Sequence, residues 1–177
     1  CEDFNVRRGS PGTMSRTAGV RIVQARPGPA IDAARDMFQE YAAWLGISLC
    51  FQDFDQEFAT LPGDYAPPRG HLLLALGGAA PVGCAALRPL EAAVCEMKRL
   101  YVRPSHRGRG VGRRLVDEIL ARARAVGYER VRLDTIPWKM QAAVAMYRDI
   151  GFRPIPPYTE NPIEGVEYME LELRSDD

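Results

Sequence analysis

Arg107-Gly108-Arg109-Gly110-Val111-Gly112-Arg113-Arg114 is the stretch that decides how this chain is read. A strand-like segment precedes it, Cys95-Glu96-Met97-Lys98-Arg99-Leu100-Tyr101-Val102, and an amphipathic helix follows. Four arginines crowd the start of that helix, where the macrodipole already presents a partial positive charge. A cation there is unfavourable by about 0.3–1 kcal/mol. Helix N-termini usually carry Ser, Thr, Asp or Asn as a cap, and the residues just ahead of Val111 include none. A bound anion resolves both difficulties. Free backbone N–H groups, an aligned dipole and several guanidiniums make a phosphate or pyrophosphate site. Gly108, Gly110 and Gly112 let the backbone curl close around phosphates.

Two known phosphate motifs fail here. A dinucleotide-binding loop needs G-x-G-x-x-G after an apolar strand. Gly108 and Gly110 fit, but Arg113 stands where the third glycine belongs. The strand ahead also carries Glu96, Lys98 and Arg99, wrong for a parallel strand buried on both faces. The P-loop string G-x-x-x-x-G-K-[ST] does not occur. The pattern that does match is Arg/Gln-x-x-Gly-x-Gly/Ala, filled by Arg107, Gly110 and Gly112. A solvated basic turn or an RNA-touching segment is the competing reading. Against it, the run lies mid-chain between periodic elements, and a nucleic-acid protein more often shows a basic domain.

The chain has 177 residues, enough for one domain with a sizeable core. Lys plus Arg equals Asp plus Glu at 23 each, so no long-range field favours nucleic acid or anionic membranes. Cys1, Cys50, Cys84 and Cys95 form no C-x-x-C pair, and with two histidines no metal site is expected. Scattered cysteines in apolar stretches suggest free thiols in a reducing cytoplasm. Cys95 reads as a buried structural thiol, not a nucleophile. No apolar run reaches the roughly 18 residues of a membrane span. Residues 1–13 read as a flexible tail or a vector remnant, with Met14 as a natural start, and residues 14–177 as the folded domain.

Residues 20–25 read as a first strand, broken by Pro27, Gly28 and Pro29. Residues 30–45 carry apolar positions at helical spacing, and residues 51–61 place Phe51, Phe54, Phe58 and Leu61 on one helical face. Strands at 72–76, 82–87 and 94–102 with short turns suggest an antiparallel meander. Leu115, Val116, Ile119, Leu120, Ala123 and Val126 form the stripe of the next helix, which Gly127 stops. A strand at 131–133, a helix at 141–150, a proline-rich loop and an alternating strand at 166–173 complete the chain.

With its flanks, the Arg–Gly segment resembles the acetyl-CoA-binding segment of the GNAT superfamily of acetyltransferases. The resemblance runs from roughly Val20 to Leu173. It includes Glu96, Leu100-Tyr101-Val102, the strand at 130–135 and Ala143-x-x-x-Tyr147-x-x-x-Gly151-Phe152. It implies a single α/β domain with a mixed, mostly antiparallel sheet in the order β-α-α-β-β-β-α-β-α-β-β, flanked by helices. It also implies a cytoplasmic enzyme that moves an acetyl group from acetyl-CoA to a primary amine within a ternary complex. The amine could belong to a small molecule or a protein. No nucleic-acid or membrane partner is implied, and a homodimer is compatible. A non-catalytic acyl-CoA sensor would share the fold.

The same resemblance assigns roles. An ammonium with a pKa of about 10.4 must lose a proton before it attacks a thioester. Glu96, eleven residues before Arg107, is the expected base. Tyr147 is the expected acid for the departing thiolate. Leu100, Tyr101 and Val102 would pair through their backbone with the pantetheine arm, beside a bulge that splays two strands apart. Arg107, Gly108, Arg109, Gly110, Val111, Gly112 and Arg113 would hold the phosphates, and Ala143 would touch the cofactor. One departure is visible: many family members carry asparagine where this chain has Met140. Weaker suspects on the acceptor side are Asp53, Asp55, Glu57 and Tyr158.

Overall fold

A computed structural model describes residues 19–49 and 53–173. The tail at 1–13, Met14, Cys1, Cys50 and the predicted helix start at Phe51 lie outside the described residues. The elements are β1 (Val20–Gln24), α1 (Pro29–Leu45), α2 (Phe54–Thr60), β2 (His71–Gly77), β3 (Ala80–Pro89), β4 (Val94–Val102), α3 (Val111–Val126), β5 (Arg130–Thr135), α4 (Gln141–Ile150), β6 (Arg153–Ile155) and β7 (Glu167–Glu172). This is the expected order. The seven strands form one sheet ordered β1-β2-β3-β4-β5-β7-β6. Among the described residues, only the β4–β5 pair is parallel.

Two local readings change. Pro29 opens α1 instead of breaking the chain. The first helical position tolerates proline, because its N–H would have no partner there anyway. The proline-rich stretch contains β6, which pairs with β7 at the sheet edge. An edge strand has a side that needs no ladder donor, so Pro154 fits.

The sheet divides the core. On one side α3 and α4 pack Leu115, Ile119 and Tyr147 against Leu73, Leu87, Met97 and Leu133. On the other, α1 packs Met37, Phe38 and Tyr41 against Leu72, Leu74 and Ala86.

β4 is the strand that shapes the molecule. Cys84 faces Tyr101 and Ala86 faces Lys98, so Arg99 and Leu100 together oppose the single residue Ala85. This is a β-bulge, with Arg99 in the left-handed region at φ 58°. The bulge reverses the alternation of side chains. Cys95 and Met97 pack toward α3, and beyond the bulge Leu100 and Val102 do so, while Tyr101 turns toward α1. β4 also parts from β5 near this point. Their pairing covers only Val94–Arg130, Cys95–Val131 and Glu96–Arg132. Past Arg132, β5 bonds only to β7, and a gap opens beside the second half of β4.

Leu115 is fully buried where α3 crosses the sheet. Leu115→Ala is expected to lower stability by about 2–5 kcal/mol through lost burial and a residual cavity. Chemical denaturation measures it. A loss under ~1 kcal/mol would contradict this placement of α3.

Candidate active site

The Arg–Gly run folds into a tight loop that leads into α3. Gly108 and Gly110 hold φ of 69° and 76°, which a residue with a Cβ adopts only at a cost. Gly110 is the N-cap of α3, and no side chain caps the helix. The first helical bond of this end runs from Arg114 N–H to Gly110 O. The N–H groups of Val111, Gly112 and Arg113 therefore have no partner within the helix, and the macrodipole adds to them. The residues present fit a diphosphate.

The arginines behave differently from the expectation that they would face the phosphates. Arg107 donates through Nε to Val102 O at 2.8 Å, and its guanidinium lies 4.7 Å from the Trp44 ring and 5.6 Å from the Tyr101 ring. Arg113 turns to Asp117 and Asp149, at 3.1 Å and 2.8 Å. Arg114 donates to Val20 O at 2.8 Å. Arg109 is exposed. The backbone N–H groups at the start of α3 stay open beside these arginines.

A cleft of about 350 Å³ runs from this loop into the gap beside β4. Leu100, Tyr101 and Val102 line one wall, Gly108, Gly110, Val111 and Gly112 the closed end, and Ala143 and Tyr147 the wall formed by α4. Arg107 and Arg113 also border it, whereas Arg109 does not. Trp44 and Lys139 border the mouth, with the Lys139 ammonium 5.2 Å from the Trp44 ring. Neither was expected. Trp44 sits in α1, far away in sequence, and a lone lysine before a helix carries no signal. Met140 lines the cleft and accepts a hydrogen bond from Thr135 Oγ1 through sulfur at 3.7 Å.

The cleft continues into a narrow space of about 40 Å³ between the parted strands. Lys98, Leu100, Asp134, Met140 and Tyr147 are among its walls. Lys98 then forms part of a larger cavity of about 450 Å³ beneath α2, on the far face of the sheet. Glu96 lies in this second cavity, not in the cleft. It is 1% exposed. Its Oε2 accepts from Arg88 Nε at 2.8 Å, and its Oε1 from the Tyr158 hydroxyl at 2.9 Å. Lys98 Nζ stands 3.8 Å from Oε1. Asp53 and Glu57 also border the cavity, whereas Asp55 does not.

Tyr147 lines both the cleft and the narrow space. Among the described residues its hydroxyl makes no hydrogen bond. Burial pushes its pKa up, with smaller contributions from Tyr41 and Asp134, so the phenol stays protonated through the neutral range. Cys95 is buried and its thiol donates weakly to Arg130 O at 3.5 Å. Burial raises its pKa to about 12, in keeping with a structural thiol.

The sequence profile of the GNAT acetyltransferase family matches residues 31–152. The chain belongs to this family. An uncharacterised N-acetyltransferase of Schizosaccharomyces pombe is 38% identical over 163 residues, covering 90% of this chain and 99% of the relative. A protein of Azospirillum brasilense named IAA acetyltransferase is 32% identical over 147 residues, covering 80% and 93%. A GNAT acetyltransferase of Staphylococcus aureus superposes with a TM-score of 0.72 at 18% identity, over 88% of this chain and 99% of that one. The Salmonella typhimurium acetyltransferase with its cofactor acetyl-CoA gives 0.64 at 18%, over 88% and 95%. These structures share the fold.

All seven tyrosines have hydroxyl pKa values raised above the ordinary value near 10, burial being the first cause in each. A raised folded-state pKa gives stability that is complete below pH ~10 and declines as pH climbs toward the folded values. Absorbance at the tyrosinate band should therefore be lower at pH 10.5 in the native protein than in the unfolded chain. The full signal should appear on unfolding. Ordinary titration of most tyrosines in the native state would contradict the burial described.

Proposed function

We propose that this protein transfers an acetyl group from acetyl-CoA to a primary amine, with both substrates bound together. One observation carries the reading: the cleft and the cavity beneath α2 approach each other at the gap between β4 and β5, through walls that include Tyr147 and Lys98. Two substrates entering from opposite faces of the sheet would meet there without a covalent enzyme intermediate.

Acetyl-CoA supplies an activated acetyl group and a thiol leaving group. In this reading the free N–H groups of Val111, Gly112 and Arg113 hold the diphosphate. Arg107 and Lys139 frame the mouth with Trp44. The backbone of Leu100–Val102 pairs with the pantetheine arm as a substitute strand, and an N–H of this segment polarises the thioester carbonyl. Glu96 takes the acceptor's proton, directly or through water. Arg88 and Tyr158 fix its carboxylate toward the acceptor side. Tyr147 protonates the thiolate as the carbon–sulfur bond breaks. Burial keeps the phenol protonated through the neutral range, so the proton is present when the thiolate forms.

Tyr147→Phe removes the proton and keeps the ring, whose centroid lies 5.6 Å from that of Phe152. Turnover should fall by about 100-fold, the low end of general-acid contributions. Acetyl-CoA affinity by calorimetry should stay within about twofold. Unchanged turnover at saturating acceptor would remove Tyr147 from the chemistry.

A further inference from the structure

The cavity beneath α2 has an unsatisfied cation at its inner end. The Lys98 side chain is 5% exposed. Among the described residues its ammonium makes no hydrogen bond, and its ion pair with Glu96 Oε1 is long, at 3.8 Å. An ammonium carries three donors, and leaving them unmatched away from water is expensive. Burial lowers the lysine pKa, while Glu96 and then Asp134 act to restore it. Beside it, Arg88 spends Nε and Nη2 on one oxygen of Glu96, and its Nη1 makes no bond among the described residues. The Tyr65 hydroxyl, in the same wall, is buried with no hydrogen-bond partner among the described residues.

The carboxylates of this region do not answer Lys98 fully. Glu57 gives both oxygens to Arg99, at 2.8 Å and 3.0 Å. Glu96 gives its two to Arg88 and Tyr158. Asp134 faces Lys98 from the narrow space and accepts from Asn161 Nδ2 at 2.9 Å. Asp53, Asp64 and Glu160 are exposed at the rim. Their field acts through water, screened over about 8 Å at physiological salt. The rim alone would favour a polycation, but the interior does not. Inside, Asp134 and Glu96 alternate with Lys98 and Arg88, which matches a molecule bearing both signs.

We infer that the acceptor is a small amino carboxylate, its carboxylate received by Lys98 with Arg88 and the Tyr65 hydroxyl while its amine faces the gap beside Tyr147. This rests on the acetyl-transfer reading and adds the acceptor's chemical class. The amine enters as an ammonium near Asp134 and Glu96 and gives one proton to Glu96. Its nitrogen then bonds to the acetyl carbon as the carbon–sulfur bond breaks, Tyr147 protonates the departing thiolate, and the second proton lost by the nitrogen restores the tyrosine. The carboxylate is unchanged and only anchors. Lys98 is thus a specificity residue.

Thiol release from acetyl-CoA by the full chain, with the twenty L-amino acids, their carboxamides and the diamine putrescine as probes, tests this. At least one amino acid should release thiol with kcat/KM about 100-fold above its own carboxamide. In Lys98→Met that preference should shrink to within about threefold, mainly through a higher KM for the acid. Circular dichroism and the coenzyme A thermal shift should confirm that the variant is folded. The wild-type comparison stands even if it is not. Carboxamides or putrescine reacting as well as or better than the acids would overturn the inference and leave acetyl transfer intact. A preference that survives Lys98→Met would overturn the role of Lys98. Thiol release by none of these amines would overturn the acceptor class, and loss of the wild-type thermal shift with acetyl-CoA would overturn the transfer reading beneath it.

Discussion

The bulge at Arg99 is the constraint on which the functional half of the molecule depends. A non-glycine residue in the left-handed region costs roughly 1–2 kcal/mol. The Arg99 guanidinium offsets it by a two-point contact to Glu57 of α2, and it lies 5.1 Å from the Phe54 ring. Both side chains of the ion pair are nearly buried, at 2% and 11% exposed. Breaking such a pair from one side strands a charge and costs several kcal/mol. The pair's value lies in holding β4 in a shape it would not otherwise keep. That shape opens the gap to β5, turns Leu100 and Val102 toward α3, and presents Tyr101 to Trp44. The tie also joins the two sides of the sheet. Glu57 walls the cavity beneath α2, while the strand it helps to hold walls the cleft.

Charge is distributed by the same economy. The arginines near α3 are largely spent on protein partners: a carbonyl and two rings for Arg107, two aspartates for Arg113, a strand carbonyl for Arg114. These contacts brace the loop and set its path. The N–H groups at the helix start remain available, and they cannot be neutralised by a rotamer change. On the opposite face the logic reverses. Glu96 is enclosed by an arginine, a tyrosine and a lysine, and Lys98 is left with donors to spare.

Much of the fold was legible because periodicity is local. The α3 stripe from Leu115 to Ala123 follows from burial on one face, and the structure keeps it; Met169, Leu171 and Leu173 do share one core cluster, but Tyr168 on the other face of β7 is buried as well. The Gly110 cap was legible for the same reason, since a missing side-chain cap is visible in a few residues. What could not be read depends on distant partners. Nothing near Arg99 marks it as left-handed, because the residue that secures it is 42 positions away. A bulge in this strand was expected only from the family resemblance. Arg107 read as a phosphate ligand, but its guanidinium lies against Trp44 of α1, which no local pattern announces. Glu96 and Lys98 share a face as strand alternation requires, yet the network around them draws on Arg88 of β3 and on Tyr158 of the β6–β7 loop. β6 hid among prolines because an edge strand tolerates them.

The central claim is that an acetyl-CoA molecule lies along the second half of β4 with its diphosphate on the start of α3. Amide hydrogen exchange of the full chain, resolved by residue and compared with and without coenzyme A, tests it most directly. The account predicts added protection at Leu100–Val102 and at Val111–Arg113, with little change in β1 or β7. Protection confined to other segments, or none at these amides under saturating coenzyme A, would contradict it.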